Sequence, residues 1–386
     1  IDTQKDSHKE TADKKVLENK YYTIEVEENG SLTIVDKANN VTYKNQGILV
    51  ENGDDGDSFN YSPPRKDMEV FSNESKCTVK ISGSDIYDQA EIHFDMVVPA
   101  DLDERAEGKV SVTMLVDMTV ALRKDSKVID FNVKVDNKGL SHRLCVLFDS
   151  QIVSAFNYAD QQFGLIKRPN YYEKEMKLYM ESMNNKTEKK AGIQELANWA
   201  NDQSTWQEPP ISIEPTQSYV SLTDGKTGIA VIPQGVREYE VLDDSKIRLT
   251  LFRTYGFMGK ENLIYRPGRA SGERIIETPA AQLLKEMEFN FGFTSYAGDI
   301  NDSDIDTLAK QYNTNLEVYT YAEFLNGRLI FSQREIEGQN AKIHSLFETE
   351  GNLVVSAVKK AEEDDGYIIR LYNGKDHKDL DDKIKF

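Results

Sequence analysis

The stretch KVSVTMLVDMTVAL, at positions 109–122, decides the fold class. Apolar residues occupy every second position, namely Val110, Val112, Met114, Val116, Met118 and Val120. Successive side chains of a β-strand point to opposite faces, so this alternation predicts a long strand with one buried face. A Lys-Asp-Ser turn follows, and KVIDFNVKVDN at 127–137 then repeats the pattern.

The same two-residue period recurs along most of the chain. YYTIEVEENGSLTIVDK at 21–37 has apolar residues on both sides of Asn29-Gly30, which predicts a hairpin. Further strand-like runs are HRLCVLFDS (142–150), SYVSLTDGKTGIAVI (218–232), REYEVLDDSKIRLTLFR (237–253) and KEMEFNFGFTS (285–295). Long antiparallel strands with polar outer faces predict an all-β protein built on a large sandwich.

Two regions interrupt this pattern. Residues 161–214 are polar and loop-like, and segments of that length tend to be functional. DINDSDIDTLAKQY at 299–312 predicts a helix with Ser303 or Asp302 as its N-cap. Short strand-like runs follow the helix. We therefore predict a large β-sandwich over 19–298, a connecting helix over 299–312, and a smaller β-sandwich domain over 313–386 that is truncated at its end.

The composition excludes several classes of partner. The chain has 386 residues and a net charge of -19, and so acidic a surface repels nucleic acid and anionic membranes. It contains no run of about 18 apolar residues, so we expect no membrane span. Cys77 and Cys145 lie in apolar runs and are expected to be reduced core thiols, which suits the cytoplasm. The first residue is not Met, and we expect a piece of a longer protein.

The run ENGDDGDSFNYSPP at 51–64 is the first candidate for binding chemistry. Its aspartates do not have the ligand spacing of a calcium-binding EF-hand loop, so a polar loop between strands is the simpler interpretation. Phe59 and Tyr61 are followed by two prolines, which suggests a rigid surface. That surface leaves room for a sugar-binding platform.

The histidines provide weaker candidates. His93 and Asp95 are two residues apart on a predicted strand and share a face, as metal ligands could. A cross-strand polar pair is the better interpretation, because no further ligand is evident. His142 and Arg143 open an apolar strand, which favours an internal ion pair over catalysis. A mutarotase would need a His and Glu pair facing one pocket, and neither His93 nor His142 has an evident Glu partner.

A glycine-rich loop, ENLIYRPGRASGERIIETPAAQ at 261–282, concentrates three arginines. A guanidinium suits vicinal hydroxyls, a carboxylate or a phosphate. The alternative is that the arginines pair with nearby glutamates and hold the loop together. We favour pairing for Arg266 and Arg274, with Glu261, Glu273 and Glu277 as the candidate partners.

Five motifs, in this order, resemble the C-terminal half of the α-mannosidases of glycoside hydrolase family 38, especially the bacterial cytoplasmic members. They are ENGDDGDSFNYSPP, VDNKGLSHRLCVLFD, VIPQGVREYEV, LTLFRTYGFMGKENLIYRPGRASG and TPAAQ. The resemblance runs from about Leu17 to the end of the chain. It implies a retaining, zinc-dependent enzyme with an N-terminal barrel, a helical bundle, and then β-domains that include a sandwich similar to galactose mutarotase.

The resemblance assigns the zinc ligands and both catalytic carboxylates to the barrel and bundle. We therefore expect no catalytic residue, metal ligand or cofactor in this chain, with residues 1–18 as the linker from the bundle. The implied substrate is an α-mannoside or another mannosyl-containing sugar, and the implied partner is a catalytic domain in cis. The pocket wall is expected to include Phe59, Tyr61, Arg266 and Arg269.

In the family that the chain resembles, many members have tyrosine at the position of Phe59, and Phe59 lacks the hydroxyl that could bond to a sugar. Homo-oligomerisation is left open. The alternative function is a stand-alone carbohydrate-binding or mutarotase-like sandwich. The two hypotheses differ in what the upstream coding sequence should contain. A barrel with a His-x-Asp motif would support the hydrolase, and a start codon just before Ile1 would support the stand-alone module.

Overall fold

The computed structural model describes residues 9–10, 16–185, 208–267, 275–314, 316, 346–351, 353–375, 379 and 383–386. Within them the α-helices are α1 (Leu102–Glu107), α2 (Glu173–Asn185) and α3 (Ile305–Asn313). The strands as far as residue 161 are β1 (Lys9–Glu10), β2 (Val16–Glu18), β3 (Tyr22–Val26), β4 (Leu32–Asp36), β5 (Val41–Gln46), β6 (Ile48–Gly53), β7 (Val70–Phe71), β8 (Lys76–Gly83), β9 (Tyr87–Val98), β10 (Val112–Arg123), β11 (Ile129–Asp136), β12 (His142–Asp149) and β13 (Phe156–Gln161).

The later strands of the described chain are β14 (Gly164–Pro169), β15 (Glu214–Pro215), β16 (Val220–Thr223), β17 (Thr227–Gln234), β18 (Glu238–Leu242), β19 (Lys246–Arg253), β20 (Phe257–Met258), β21 (Ile276–Glu277), β22 (Glu286–Ala297), β23 (Glu348–Glu350), β24 (Val354–Lys360), β25 (Tyr367–Tyr372) and β26 (Lys383–Lys385). Ten strands form the larger sheet, in the order β1-β8-β9-β10-β11-β22-β17-β16-β13-β14. Six strands form a second sheet, in the order β15-β18-β19-β12-β6-β7, and β2–β5 form a third. The predicted all-β sandwich is confirmed.

The alternation that decided the fold class is confirmed on β10. Met114, Met118 and the residues between them on the same face are fully buried, and β10 pairs antiparallel with β9 and β11. Val110 differs from the prediction: it precedes the strand and is 43% exposed. Helix α1 ends at Glu107, and Gly108 at φ 69° redirects the chain, so the regular strand begins only at Val112.

Aromatic side chains join the two large sheets. Phe148 of β12 stacks on Phe293 of β22 with ring centroids 5.3 Å apart, and it meets Phe131 of β11 edge-on at 5.4 Å. Phe131 in turn stacks on Phe291 at 5.2 Å. All four rings are buried, so the centre of the sandwich is an aromatic cluster that contributes through both burial and ring geometry.

The predicted hairpin at Asn29-Gly30 is confirmed by the pairing of β3 with β4. Gly30 has a φ of +80°, and a Cβ built there would lie 2.5 Å from the Phe94 ring. Only glycine combines this backbone conformation with so close an approach. Of the two free cysteines, Cys145 is buried as predicted, whereas Cys77 is half-buried at the edge of the core.

The prediction of a loop over 161–214 is wrong in its first part. Strand β14 pairs with β13, and helix α2 follows it. The helix contains apolar residues at helical spacing (Met176, Tyr179, Met180 and Met183), and this period was overlooked because the region as a whole is polar.

Helix α3 is confirmed, but its N-cap is Asp304 rather than Ser303 or Asp302. It buries Ile305 and Ala309 in a second hydrophobic cluster on the outer face of the larger sheet. The predicted domain division remains a prediction.

The hairpin of β24 and β25 contacts both α3 and the β13–β14 hairpin. Lys375 forms an ion pair with Asp306 at 2.5 Å, and the Lys310 ammonium donates to the carbonyl of Val355. The amide of Leu165 donates to the carbonyl of Gly374 at 3.0 Å. Helix α3 therefore bridges the larger sheet and this hairpin.

Candidate functional site

The segment 54–60, here called the Phe59 loop, directly follows the buried strand β6. The Asp57 carboxylate accepts hydrogen bonds from the amides of Phe59 (2.9 Å) and Asn60 (3.0 Å), an arrangement that closes a tight turn. Phe59 stands at this turn and is 58% exposed. The loop thus holds a large aromatic ring out of the sandwich on a fixed backbone.

Three carboxylates of the Phe59 loop are paired one to one with three cations. Asp54 pairs with Arg253 at 2.7 Å, Asp55 pairs with Lys260, and Asp57 pairs with Arg266. The interpretation of the acidic run as a polar loop between strands did not predict these ion pairs, because the cationic partners lie about 200 residues away in sequence.

Arg266 is buried and forms an ion pair, but its carboxylate is Asp57 rather than one of the predicted glutamates. It also donates to the side chain of Asn60 (2.5 Å) and the carbonyl of Lys260 (3.0 Å). Burial alone would raise the pKa of Asp57, but the hydrogen bonds from Arg266 and two backbone amides outweigh it and lower the pKa. Asp57 therefore stays ionised and keeps the loop in place.

Tyr61 lies in the interior beneath the loop. Its ring lies 3.9 Å from the guanidinium of Arg143, and its hydroxyl accepts a hydrogen bond from Asn52 at 3.1 Å. Tyr265 meets the ring edge-on at 5.9 Å. Burial raises the pKa of Tyr61, so the phenol remains neutral. The described contacts support the loop from below, and a role for Tyr61 toward a sugar stays a prediction.

The structure brings together Phe59, Tyr61 and Arg266, which were singled out from two distant motifs. The amide of Ser58 donates to the carbonyl of Phe257 at 3.2 Å, and the amide of Tyr265 donates to Ser62 at 3.3 Å. Arg269 and Arg274 lie outside the described residues, so their predicted roles stay predictions.

The described end of the 161–214 region lies beside the Phe59 loop. Asn60 donates to Glu208 at 3.4 Å, which brings one end of that segment to the Phe59 loop. Trp199 and Trp206 lie outside the described residues.

His142 and Arg143 were predicted to form internal ion pairs rather than to take part in catalysis. This prediction is confirmed, because each lies in a buried network with a glutamate. Arg143 donates to Asn52 at 3.0 Å and pairs with Glu240 at 2.8 Å. His142 does have a glutamate partner, contrary to expectation: its Nδ1 lies 3.0 Å from Glu51, which also pairs with Arg105. His142 and Glu51 are both fully buried, so the pair does not present an open face to a sugar.

The cross-strand interpretation of His93 is confirmed. Its Nδ1 lies 2.7 Å from Asp117 on the neighbouring strand, and its Nε2 lies 3.2 Å from Asp95. Both ring nitrogens are therefore already bonded to carboxylates. Among the residues with described positions, no group of three His, Cys, Asp or Glu side chains could hold a metal ion. The described residues do not fit the zinc that the resemblance implies.

His93 predicts a measurable pH dependence of stability. Its hydrogen bond to Asp117 raises the pKa of the imidazole above the ordinary value, so protonated His93 stabilises the folded state. This contribution is fully present below about pH 6.5 and is lost as pH rises through the folded pKa. We expect the stability difference between the native chain and His93→Gln to be larger at about pH 5.5 than at about pH 9.

The size of this effect is limited to less than about 1 kcal/mol, because the side chain is partly exposed to solvent. Denaturant unfolding at both pH values measures it, with Thr78→Val, an exposed position on the adjacent strand, as the control. If the stability difference between the native chain and His93→Gln is the same at both pH values, protonated His93 does not stabilise the folded state.

No helix in the described part of the chain is long and apolar enough to cross a membrane.

The sandwich and its ion-paired aromatic loop define a β-sandwich domain with a candidate sugar-binding surface. The family description "Glycosyl hydrolases family 38 C-terminal domain" matches residues 17–257. The chain belongs to glycosyl hydrolase family 38, and it corresponds to the C-terminal region of that family.

Individual relatives agree with this assignment. A Halalkalibacterium halodurans protein with the name "Putative mannosylglycerate hydrolase" is 24% identical over 379 residues, which are 93% of this chain and 36% of that protein. A crystal structure of an alpha-mannosidase from Enterococcus faecalis V583 has 23% identity and a TM-score of 0.71 over 93% of this chain and 36% of that one.

A second Enterococcus faecalis structure, of a protein in glycosyl hydrolase family 38, has 22% identity and a TM-score of 0.70 over 93% of this chain and 38% of that chain. At these identities the likeness to the solved structures shows the fold. The chain spans little more than a third of the length of these relatives.

Proposed function

We propose that this chain is the scaffold and pocket-wall region of a retaining α-mannosidase-like glycoside hydrolase whose catalytic residues and zinc lie in another part of the enzyme. The observation that carries the proposal is the family match over residues 17–257. The exposed Phe59 ring supports it, because an aromatic face on a rigid loop suits the apolar face of a pyranose.

In this proposal the reaction is a double displacement. A carboxylate supplied by the catalytic domain attacks the anomeric carbon, and water later hydrolyses the glycosyl-enzyme intermediate. The residues of this chain position the sugar and exclude water. The ion pairs under the Phe59 loop keep the ring fixed, so that little ordering is left to occur during binding.

The substrate class is proposed to be an α-mannoside or another mannosyl-containing sugar. The name of the Halalkalibacterium relative indicates an aglycone with a carboxylate. The cations of the Phe59 loop are already neutralised, since Arg253, Lys260 and Arg266 each hold an aspartate. If the substrate is anionic, the proposed charge partner is Arg269. A cytoplasmic location and a catalytic domain in cis complete the proposal.

The experiment compares the 386-residue chain with an enzyme that also contains the upstream catalytic region. We expect the longer enzyme to hydrolyse an aryl α-mannoside, to lose activity with a chelator and to regain it with zinc. The 386-residue chain alone is expected to be inactive and to bind no stoichiometric zinc. Chelator-sensitive activity of this chain alone would overturn the assignment of its role.

Two variants of the longer enzyme test the pocket wall. Phe59→Ala and Arg269→Ala should each reduce kcat/KM about tenfold or more, with the free energy of unfolding nearly unchanged. Phe163→Ala, at an 87% exposed position on the β13–β14 turn of the other sheet, is the matched control. Wild-type kinetics in both site variants would contradict the pocket-wall role.

A further inference from the structure

Four uncharged polar side chains form a row across the outer face of the larger sheet. Thr119 of β10 is opposite Asn132 of β11, Asn132 is opposite Asn290 of β22, and Asn290 is opposite Gln234 of β17. Adjacent strands are about 4.8 Å apart, so the row extends over about 14 Å. We call these four residues the amide row.

The amide row points away from the core of the sandwich. Thr119 lies between Met118 and Val120, and both of these are fully buried against the second sheet. Alternation along the strand therefore places Thr119 and its row partners on the opposite face. All four are half-buried, and together they line a groove of about 1360 Å³.

Helix α3 forms one wall of this groove. Tyr312 and Gln311 line it, and Tyr312 packs over Gly292, two residues beyond Asn290 on the same strand. A Cβ built at Gly292 would lie 3.2 Å from the Tyr312 ring, so the glycine allows the ring to lie close to the sheet. An aromatic side chain thus borders the amide row.

Most of the charged side chains at the rim of the groove form ion pairs. Lys127 pairs with Asp304 at 2.6 Å, and Arg123 pairs with Asp130 at 3.4 Å. Lys124 pairs with Asp88 at 2.6 Å. The amide row is uncharged, and the charged lining residues include four carboxylates (Asp85, Asp125, Asp130, Asp304) against three cations (Arg123, Lys124, Lys127), so the groove does not favour an anionic ligand.

The amide row retains hydrogen-bonding capacity. Asn132 donates to Asn290 at 2.8 Å and to Glu288 at 2.7 Å, which leaves the Asn290 amide hydrogens available. Thr119 and Gln234 make no side-chain hydrogen bond to any described residue. Donors and acceptors therefore alternate along an open, uncharged row beside an aromatic ring.

We propose that this groove is a second, non-catalytic binding site for a neutral oligosaccharide. The glycan lies across the strands with its hydroxyls on the amide row and one sugar face against Tyr312. The site belongs to the larger sheet and α3, whereas the Phe59 loop follows β6 of the other sheet. The proposal does not depend on hydrolysis by the longer enzyme.

The test titrates the 386-residue chain with linear α-mannotriose and with maltotriose and follows binding by NMR and calorimetry. The double variant Thr119→Val/Gln234→Ala removes two ligand bonds and no described hydrogen bond within the chain. We expect at least one trisaccharide to bind saturably, and the double variant to bind it about tenfold more weakly. Phe163→Ala, at an exposed position outside both proposed sites, and Thr78→Val should bind it as the native chain does.

Three outcomes would overturn the proposal. The first is the absence of saturable binding of either trisaccharide to the folded native chain. The second is binding that Phe59→Ala abolishes and the double variant retains. The third is equal affinity for an anionic trigalacturonate, which an uncharged amide row bordered by an excess of carboxylates does not predict. Failure of the hydrolase proposal is detected separately, by the activity of the longer enzyme.

Discussion

Replacing Arg266 with alanine is expected to lower the free energy of unfolding by about 3–5 kcal/mol. The side chain is 3% exposed and pairs with Asp57, which is fully buried. Without Arg266 the Asp57 carboxylate would remain buried without its charge partner, and Asn60 would lose a donor. Denaturant unfolding of the purified chain measures the change.

A matched control and a double variant separate the ion pair from general loop damage. Arg65→Ala, at an exposed position just beyond the loop, should change the free energy of unfolding by less than about 0.5 kcal/mol. Asp57→Asn keeps a side-chain acceptor for the turn, so Asp57→Asn/Arg266→Ala should cost less than the two single changes added together. Strict additivity with small single effects would show that the pair contributes little.

Replacing Phe148 with alanine is expected to cost about 3–5 kcal/mol of unfolding free energy. Phe148 is fully buried and contacts Phe131, Phe291 and Phe293, so its removal leaves a cavity between the two large sheets. Thermal and denaturant unfolding measure the loss. Phe148→Leu should recover much of it, because leucine refills part of the space.

Phe156→Ala is the control for the aromatic core, since Phe156 is 42% exposed on β13. We expect it to cost much less than Phe148→Ala. Similar losses at both positions would show that the aromatic cluster is not the main link between the sheets.

Much of the fold could be predicted because its signals are local. The alternation at Met114–Val120 requires only that neighbouring side chains point to opposite faces. The Asn29-Gly30 turn and helix α3 also depend on residues within a few positions of one another. Helix α2 also has a local signal, namely apolar residues at helical spacing, but it was missed because the surrounding region is polar.

The proximity of the candidate site residues could not be derived from local pattern. Phe59, Tyr61 and Arg266 come from two motifs that are distant in the sequence, the structure brings them together, and their roles toward a sugar stay predictions. The partners of the acidic run were not predictable, since Arg266 lies 209 residues from Asp57 and Arg253 lies 199 residues from Asp54. The glutamate partner of His142 was missed for the same reason, at a separation of 91 residues.

For the long alternating strands such as β10, β11 and β22, the sequence by itself determined that they are strands and which face is buried, because both follow from the two-residue period of side-chain direction. The tertiary structure alone decided which strands are neighbours. Strand β22 pairs with both β11 and β17, and that register aligns Asn290 between Asn132 and Gln234. Register between distant strands depends on how the buried faces pack together, so ion pairs and polar rows built across it cannot be derived from local pattern.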